Sequence, residues 1–161
     1  TGRPFTGDHA GGLLYSTLIK FGWARGHYDA RADDDLALIN CRVTNAVRCV
    51  PPQNKPTGPE VNTCKPFLAD EIAAMKRLEV ILALGGLAHG AVVVALGHRK
   101  STWKFGHNRR HDIPNLPILF NSYHCSRYNT NTGRLTPRMF EDVFSAIQAY
   151  FNSELCRTAG C

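Results

Sequence analysis

At 161 residues the chain has room for one compact domain but not for two. Hydrophobic residues make up 43% and charged residues 20%, which excludes wholesale disorder and collagen-like repeats. Nineteen Lys and Arg against thirteen Asp and Glu give +6, a balance that favours polyanionic partners without selecting one.

Gly11 to Phe21 reads as a short helix, because Leu13, Leu14, Leu18 and Phe21 recur at three- and four-residue steps. A loop with Asp33, Asp34 and Asp35 follows. Leu36 to Val47, rich in Leu, Ile and Val, then fits a buried strand. Pro51, Pro52, Pro56 and Pro59 stiffen the next stretch, since each fixes φ and removes a backbone donor. Pro59 suits the first turn of a helix whose apolar face is Val61, Cys64, Leu68, Ile72 and Met75.

Glu79 to Leu84 is a second buried strand, closed by Gly85-Gly86, and Leu87 to Leu96 is a short helix ended by Gly97. His98 to His111 is a basic loop with Trp103 and Phe105 interleaved, and Pro117 to Ser122 is a third strand. Thr136 caps and Pro137 opens a last helix with Phe140, Val143, Phe144, Ile147 and Phe151 as its stripe.

Helices alternating with strands apolar on both faces argue for a three-layer α/β/α sandwich around a small parallel sheet. Chemistry in such folds gathers in loops after the strands, here 44–57, 85–89 and 121–134. The best apolar run, Val80 to Leu96, is broken by Gly85, Gly86, His89 and Gly90, so no membrane span is expected. The opening TGRPFTGDHAGG has no basic-then-apolar order, and a secretory leader is not expected there. Cysteines at 41, 49, 64, 125, 156 and 161 lack the dense spacing of a disulfide scaffold. A reducing, cytoplasmic compartment is therefore expected, with these cysteines as core residues or metal ligands.

Three segments carry a family resemblance: GRPFTGDHAG at 2–11, TNAVRCVPPQNKPT at 44–57 with Cys64 following, and SYHCSRYNTNTGRLT at 122–136. In order and spacing they resemble the uracil-DNA glycosylase superfamily, most closely its type-5 iron–sulfur branch, over nearly the whole chain. Two departures stand out. The chain starts within the family's first motif, so a single domain over 1–161 is expected to lack its first strand and an upstream cysteine pair. Cys125 also stands where many superfamily members have proline.

The resemblance implies hydrolysis of the N-glycosidic bond of uracil in DNA, leaving an abasic site for base-excision repair, with hypoxanthine as a further substrate in related enzymes. Phe5 would be the platform on which a flipped base stacks; by composition alone it reads as a core residue, a reading that its place in the glycine-flanked GRPFTGD reverses. Asp8 would place the attacking water and face the positive charge growing on the sugar, although it also suits the cap of the following helix. His124 would donate to uracil O2 and hold the leaving group's charge, a task that needs a donor rather than a cation. Asn45 would read the uracil edge, with Asn54 as pocket or water support or a turn residue between prolines.

Ser126, Arg127 and Asn129 suit phosphates and Tyr128 a wedge, unless the loop is a solvated turn; Arg48 and Lys55 would add phosphate contacts. The resemblance makes Cys49 and Cys64 two of four ligands to a 4Fe–4S cluster in the intact protein, while Cys64 also fits a helix core. Cys41 and Cys156 read as structural, and Cys125, although beside His124, is not expected to be a nucleophile, since glycosylases that use water need none. A monomer acting on uracil-containing DNA is expected. Two rivals remain at this point: a lesion-binding module without catalysis, and a nucleoside hydrolase on a similar sheet.

Overall fold

Asp8 starts the first helix. Its extended backbone and its Oδ1, which accepts from Gly11 N at 3.0 Å, form the N-cap of α1, His9–Lys20. The computed structural model describes residues 3–47 and 58–159, apart from the side chains of residues 61, 62 and 157–159. After α1 come β1 (Ala24–Arg25), β2 (Ala37–Leu38), α2 (Gly58–Ala74), β3 (Val80–Leu84), α3 (Gly86–Ala95), β4 (Arg110–His111), β5 (Ile118–Ser122), α4 (Arg127–Asn131) and α5 (Pro137–Ala159). Among the described residues no helix is long and apolar enough to cross a membrane.

The chain forms two compact units, Thr1–Val43 with Tyr123–Cys161, and Thr44–Ser122. In the second, β3 and β5 pair in parallel from Val80 opposite Ile118 to Leu84 opposite Ser122. β4 joins the far side of β5 antiparallel, giving the order β3-β5-β4. The expected α/β class holds, with a mixed sheet rather than a wholly parallel one. The central strand is the buried one: Leu119, Phe120, Asn121 and Ser122 are inaccessible or nearly so, whereas β3, on an edge, buries only Ala83 fully. Leu68 of α2, Ala91, Val92 and Val93 of α3, and Ile113 complete this core.

Gly85, at φ 92°, turns the chain from β3 into α3, a conformation that suits glycine. The basic loop is not irregular throughout, since Arg110–His111 is paired as β4. His89 Nδ1 lies 2.7 Å from Asn121 Oδ1, its Nε2 lies 2.6 Å from the Trp103 carbonyl oxygen, and Asn121 Nδ2 donates to the Arg109 carbonyl at 3.1 Å.

In the first unit, α5 buries Phe140, Val143, Phe144 and Ile147 as its periodicity predicts, and Met139 N donates to the capping Thr136 Oγ1. Leu14, Tyr15 and Leu18 form the buried face of α1. The strand expected over Leu36 to Val47 shrinks to Ala37–Leu38, paired antiparallel with Ala24–Arg25. Asn40 at φ 50° breaks the extended run, and Ile39 is exposed. Cys156, expected to be structural, is exposed on α5, while Cys41 is half-buried with its Sγ on the Trp23 carbonyl.

Candidate active site

The first unit gathers the candidate catalytic residues. Phe5 and His124 face each other with ring centroids 5.7 Å apart and planes tilted by 35°. Phe5 does so from a left-handed backbone, φ 59°, which costs a non-glycine residue about 1–3 kcal/mol and persists only where neighbours enforce it. Asp8 is exposed at the start of α1; beyond the capping bond of its Oδ1, its Oδ2 has no hydrogen-bond partner among the described residues. One carboxylate thus fulfils the cap and still presents an oxygen outward.

His124 is half-buried two residues beyond β5. Burial pushes its pKa below the ordinary imidazole value, and the Asp8 carboxylate opposes that shift without overcoming it. At neutral pH the ring is therefore mainly uncharged, a hydrogen-bond donor with one proton. Cys125 beside it is fully buried, and its thiol is pushed up to about 12 by desolvation, which removes it as a nucleophile near neutrality.

The segment after His124, read as a loop, is the short helix α4. Ser126 caps it by accepting from Asn129 N at 3.4 Å, and Asn129 Nδ2 donates to the His124 carbonyl at 2.8 Å. Of the residues expected to contact phosphate, Asn129 thus also braces the backbone of His124, and Ser126 caps the helix that carries Asn129. Arg127 is exposed, and Tyr128, 71% exposed, projects an aromatic ring into solvent, the geometry a wedge needs. His9, read as plain surface, has its Nε2 3.1 Å from Thr130 Oγ1 and so links α1 to α4.

Asn45 is exposed in the second unit, in the chain leading to α2. Arg48, Cys49, Asn54 and Lys55 lie outside the described residues. Cys64 is buried on α2 at 7% exposure, which suits a thiolate ligand and core packing alike. Among the described residues no group of three or more His, Cys, Asp or Glu is arranged to hold a metal ion. Of the two expected ligands only Cys64 lies among the described residues, and Cys41, Cys125 and Cys156 are not grouped with it into a four-thiolate set.

A uracil-DNA glycosylase superfamily family model matches residues 1–148. The chain belongs to the uracil-DNA glycosylase superfamily. It is 42% identical to a type-5 uracil-DNA glycosylase of Thermus thermophilus, over 89% of this chain and 65% of the relative. A type-5 enzyme of Mycobacterium bovis is 40% identical over 89% and 54%, and one of Pyrobaculum aerophilum 37% identical over 89% and 62%. The chain thus spans about two thirds or less of the length of these relatives.

As a superfamily member it carries one group of side chains that motif reading passed over. Arg3 donates through both Nη atoms to the two oxygens of Asp34, each at 2.6 Å, and through Nε to Thr6 Oγ1 at 2.9 Å. Its guanidinium lies 5.3 Å from the Tyr15 ring centroid and 5.4 Å from that of Tyr28. The Tyr15 hydroxyl donates to the Pro4 carbonyl, and Tyr28 Oη donates to the Phe5 carbonyl at 3.0 Å. The only sequence signal was the GRPF segment itself; Asp34 stands in the sequence simply as one of three consecutive acidic residues in a loop.

Proposed function

We propose that this chain carries the catalytic centre of a monofunctional DNA glycosylase that hydrolyses the N-glycosidic bond of uracil in DNA and leaves an abasic site for base-excision repair. The observation that carries the reading is the pairing of the Phe5 and His124 rings beside the Asp8 carboxylate in one unit. Superfamily membership and the type-5 relatives support it.

An extruded uracil stacks on Phe5. Such a stack is worth about 1–3 kcal/mol, the scale of the few kcal/mol roughly needed to unstack and flip a base. The C1′–N1 bond breaks with its electron pair leaving on the uracil, and positive charge grows on the sugar. His124 donates to O2 of the departing base, and its uncharged state suits a donor that must not be hydrated away. Asp8 faces the sugar and orients the water whose oxygen bonds to C1′, accepting a proton from that water as the bond forms. At ~4 Å a carboxylate–cation pair contributes about 1 kcal/mol in water and about 4 kcal/mol at an effective dielectric of 20.

Asn45 reads the uracil edge and Asn54 supports the pocket or the water. Arg48, Lys55, Ser126, Arg127 and Asn129 hold the DNA backbone, with Tyr128 as the wedge that fills the vacated stack. In the intact protein Cys49 and Cys64 would be two of the four thiolate ligands of a 4Fe–4S cluster. The protein acts as a cytoplasmic monomer with one catalytic domain.

Release of free uracil from a uracil-containing duplex by the intact protein tests the reading. Asp8→Asn and His124→Ala should each lower the single-turnover rate by at least about 10²-fold, the scale of a lost charge-stabilising group. Rates unchanged in both variants remove the mechanism, and binding without any base release removes the activity.

A further inference from the structure

The side chains around Arg3 end on one short segment. Asp34 is anchored in its own loop, where its Oδ2 accepts from Asp29 N at 3.1 Å and its Oδ1 from Leu36 N at 3.3 Å. Its side chain is 1% exposed, and it holds Arg3 from 31 positions away along the chain. Arg3 also donates to the Arg31 carbonyl at 3.0 Å. Beyond that loop, the bonds of Arg3, Tyr15 and Tyr28 fall on three consecutive residues: the Pro4 carbonyl, the Phe5 carbonyl and the Thr6 hydroxyl.

The fit is close. A Cβ on Gly11 would come within 1.9 Å of the Phe5 carbonyl oxygen and 2.3 Å of Tyr28 Oη, so only glycine lets α1 pass there. Residues 3–6 are half-buried and Gly7, Asp8 and His9 are exposed, so apolar burial does little to order this segment. The left-handed backbone of Phe5 is not an intrinsic preference and has to be imposed. What the bonds fix is the direction of one ring.

We infer that Arg3, Asp34 and Tyr28 form a clamp whose role is to hold the Phe5 ring against His124, which makes Asp34 and Tyr28 positioning residues for base stacking. The inference rests on the proposed glycosylase reading for what is stacked, but the clamp itself is a statement about the 3–8 segment. Asp34 fixes the guanidinium, the guanidinium fixes both tyrosine rings, and Tyr28 fixes the carbonyl of the residue whose ring meets the base. Neither positioning residue needs to touch DNA.

The test compares the intact wild-type protein with Asp34→Asn, Arg3→Lys and Tyr28→Phe. Three readouts are taken: single-turnover release from a duplex with a central uracil, affinity for the same duplex with a tetrahydrofuran abasic analogue, and amide exchange across residues 5–8. Asp34→Asn should slow release by between about 10-fold and 10²-fold, as expected of a group misplaced by an ångström. Tyr28→Phe, which deletes one hydrogen bond and leaves the ring, should slow it about threefold to tenfold. Arg3→Lys keeps the charge but loses the two-pronged pairing, and should fall with Asp34→Asn rather than rescue it. All three should exchange faster at 5–8 yet bind the abasic duplex as wild type does, since that duplex has no base to stack.

Equal rates and equal exchange in the variants overturn the clamp, and so does a parallel loss of abasic-duplex affinity, which marks a general structural role. Should Asp34→Asn fail to fold, Tyr28→Phe decides alone. If the wild type binds DNA but releases no uracil, the glycosylase reading fails. The clamp is then judged by exchange: faster exchange in Tyr28→Phe upholds it, and unchanged exchange overturns it.

Discussion

Two segments, one in each unit, are ordered by different means. In the unit Thr44–Ser122 the central strand β5 is fixed by backbone pairing on both sides, and apolar side chains pack around that ladder. In the other unit, residues 3–8 have no ladder and little burial, and a charged pair with two tyrosine hydroxyls fixes them instead. An irregular segment can be held in place, but its backbone groups must then find side-chain partners one at a time. Each such partner is a single point of failure, whereas a ladder shares its load among many bonds.

The contrast can be strained from several directions. The largest effect should come from the α5 core: Phe140 is inaccessible and its ring lies 5.0 Å from that of Phe144. Phe140→Ala should cost about 3–5 kcal/mol in a denaturant titration. In the second unit, Asn121→Ala should cost about 1–3 kcal/mol, because the Arg109 carbonyl and His89 Nδ1 lose the partner described above. A calorimetric midpoint within error of wild type would mean that the amide is dispensable to the ladder.

Acid should act next, and on both units. Burial holds His124 in one and His111 in the other below the ordinary imidazole value, so each is favoured uncharged in the fold. The unfolded chain takes up those protons near pH 6.5, so stability is full above that pH and falls as pH drops through it. Asp34 acts in the same direction at lower pH. The Arg3 guanidinium holds its carboxyl well below the usual range, so its contribution is full above about pH 4 and is lost progressively as pH falls below that. Loss of thermal midpoint between pH 7 and 5 should therefore shrink in His124→Gln and persist in Asp34→Asn.

The smallest effect is at the alkaline end. Burial pushes Tyr15 up to about 12, so its contribution is full below pH ~10 and is lost as pH rises through the folded value. A spectrophotometric titration should show one tyrosine ionising late, and Tyr15→Phe should abolish that step. At neutral pH the same substitution should cost only about 0.5–1.5 kcal/mol, the worth of one hydrogen bond.

Elements with a clear period were legible in the sequence: the stripe of α5 from Phe140 to Ile147 and the parallel strands flanking α3 lie where spacing put them, whereas α1 buries Leu14 and Leu18 of its expected stripe together with Tyr15, and leaves Leu13 and Phe21 half-buried. The strand read from Leu36 onward was not legible, because apolar content says nothing about the φ of Asn40, and a left-handed residue ends an extended run. The helical turn of α4 was hidden in a polar stretch whose order comes from a serine cap rather than an apolar face. Phe5, Asp8 and His124 could be picked out because they sit in recognisable segments. Asp34 could not: an acidic run looks solvated until the fold returns it to Arg3, and local pattern carries no information about closure over that distance.

Cys125 has a consequence for handling the protein. Its sulfur adjoins the imidazole in sequence yet is shielded from solvent and reluctant to ionise. Alkylating agents and mild oxidants attack thiolates, so they meet no ready target at this position. A dye or spin label directed at the exposed Cys156 can be introduced while this neighbour stays unmodified.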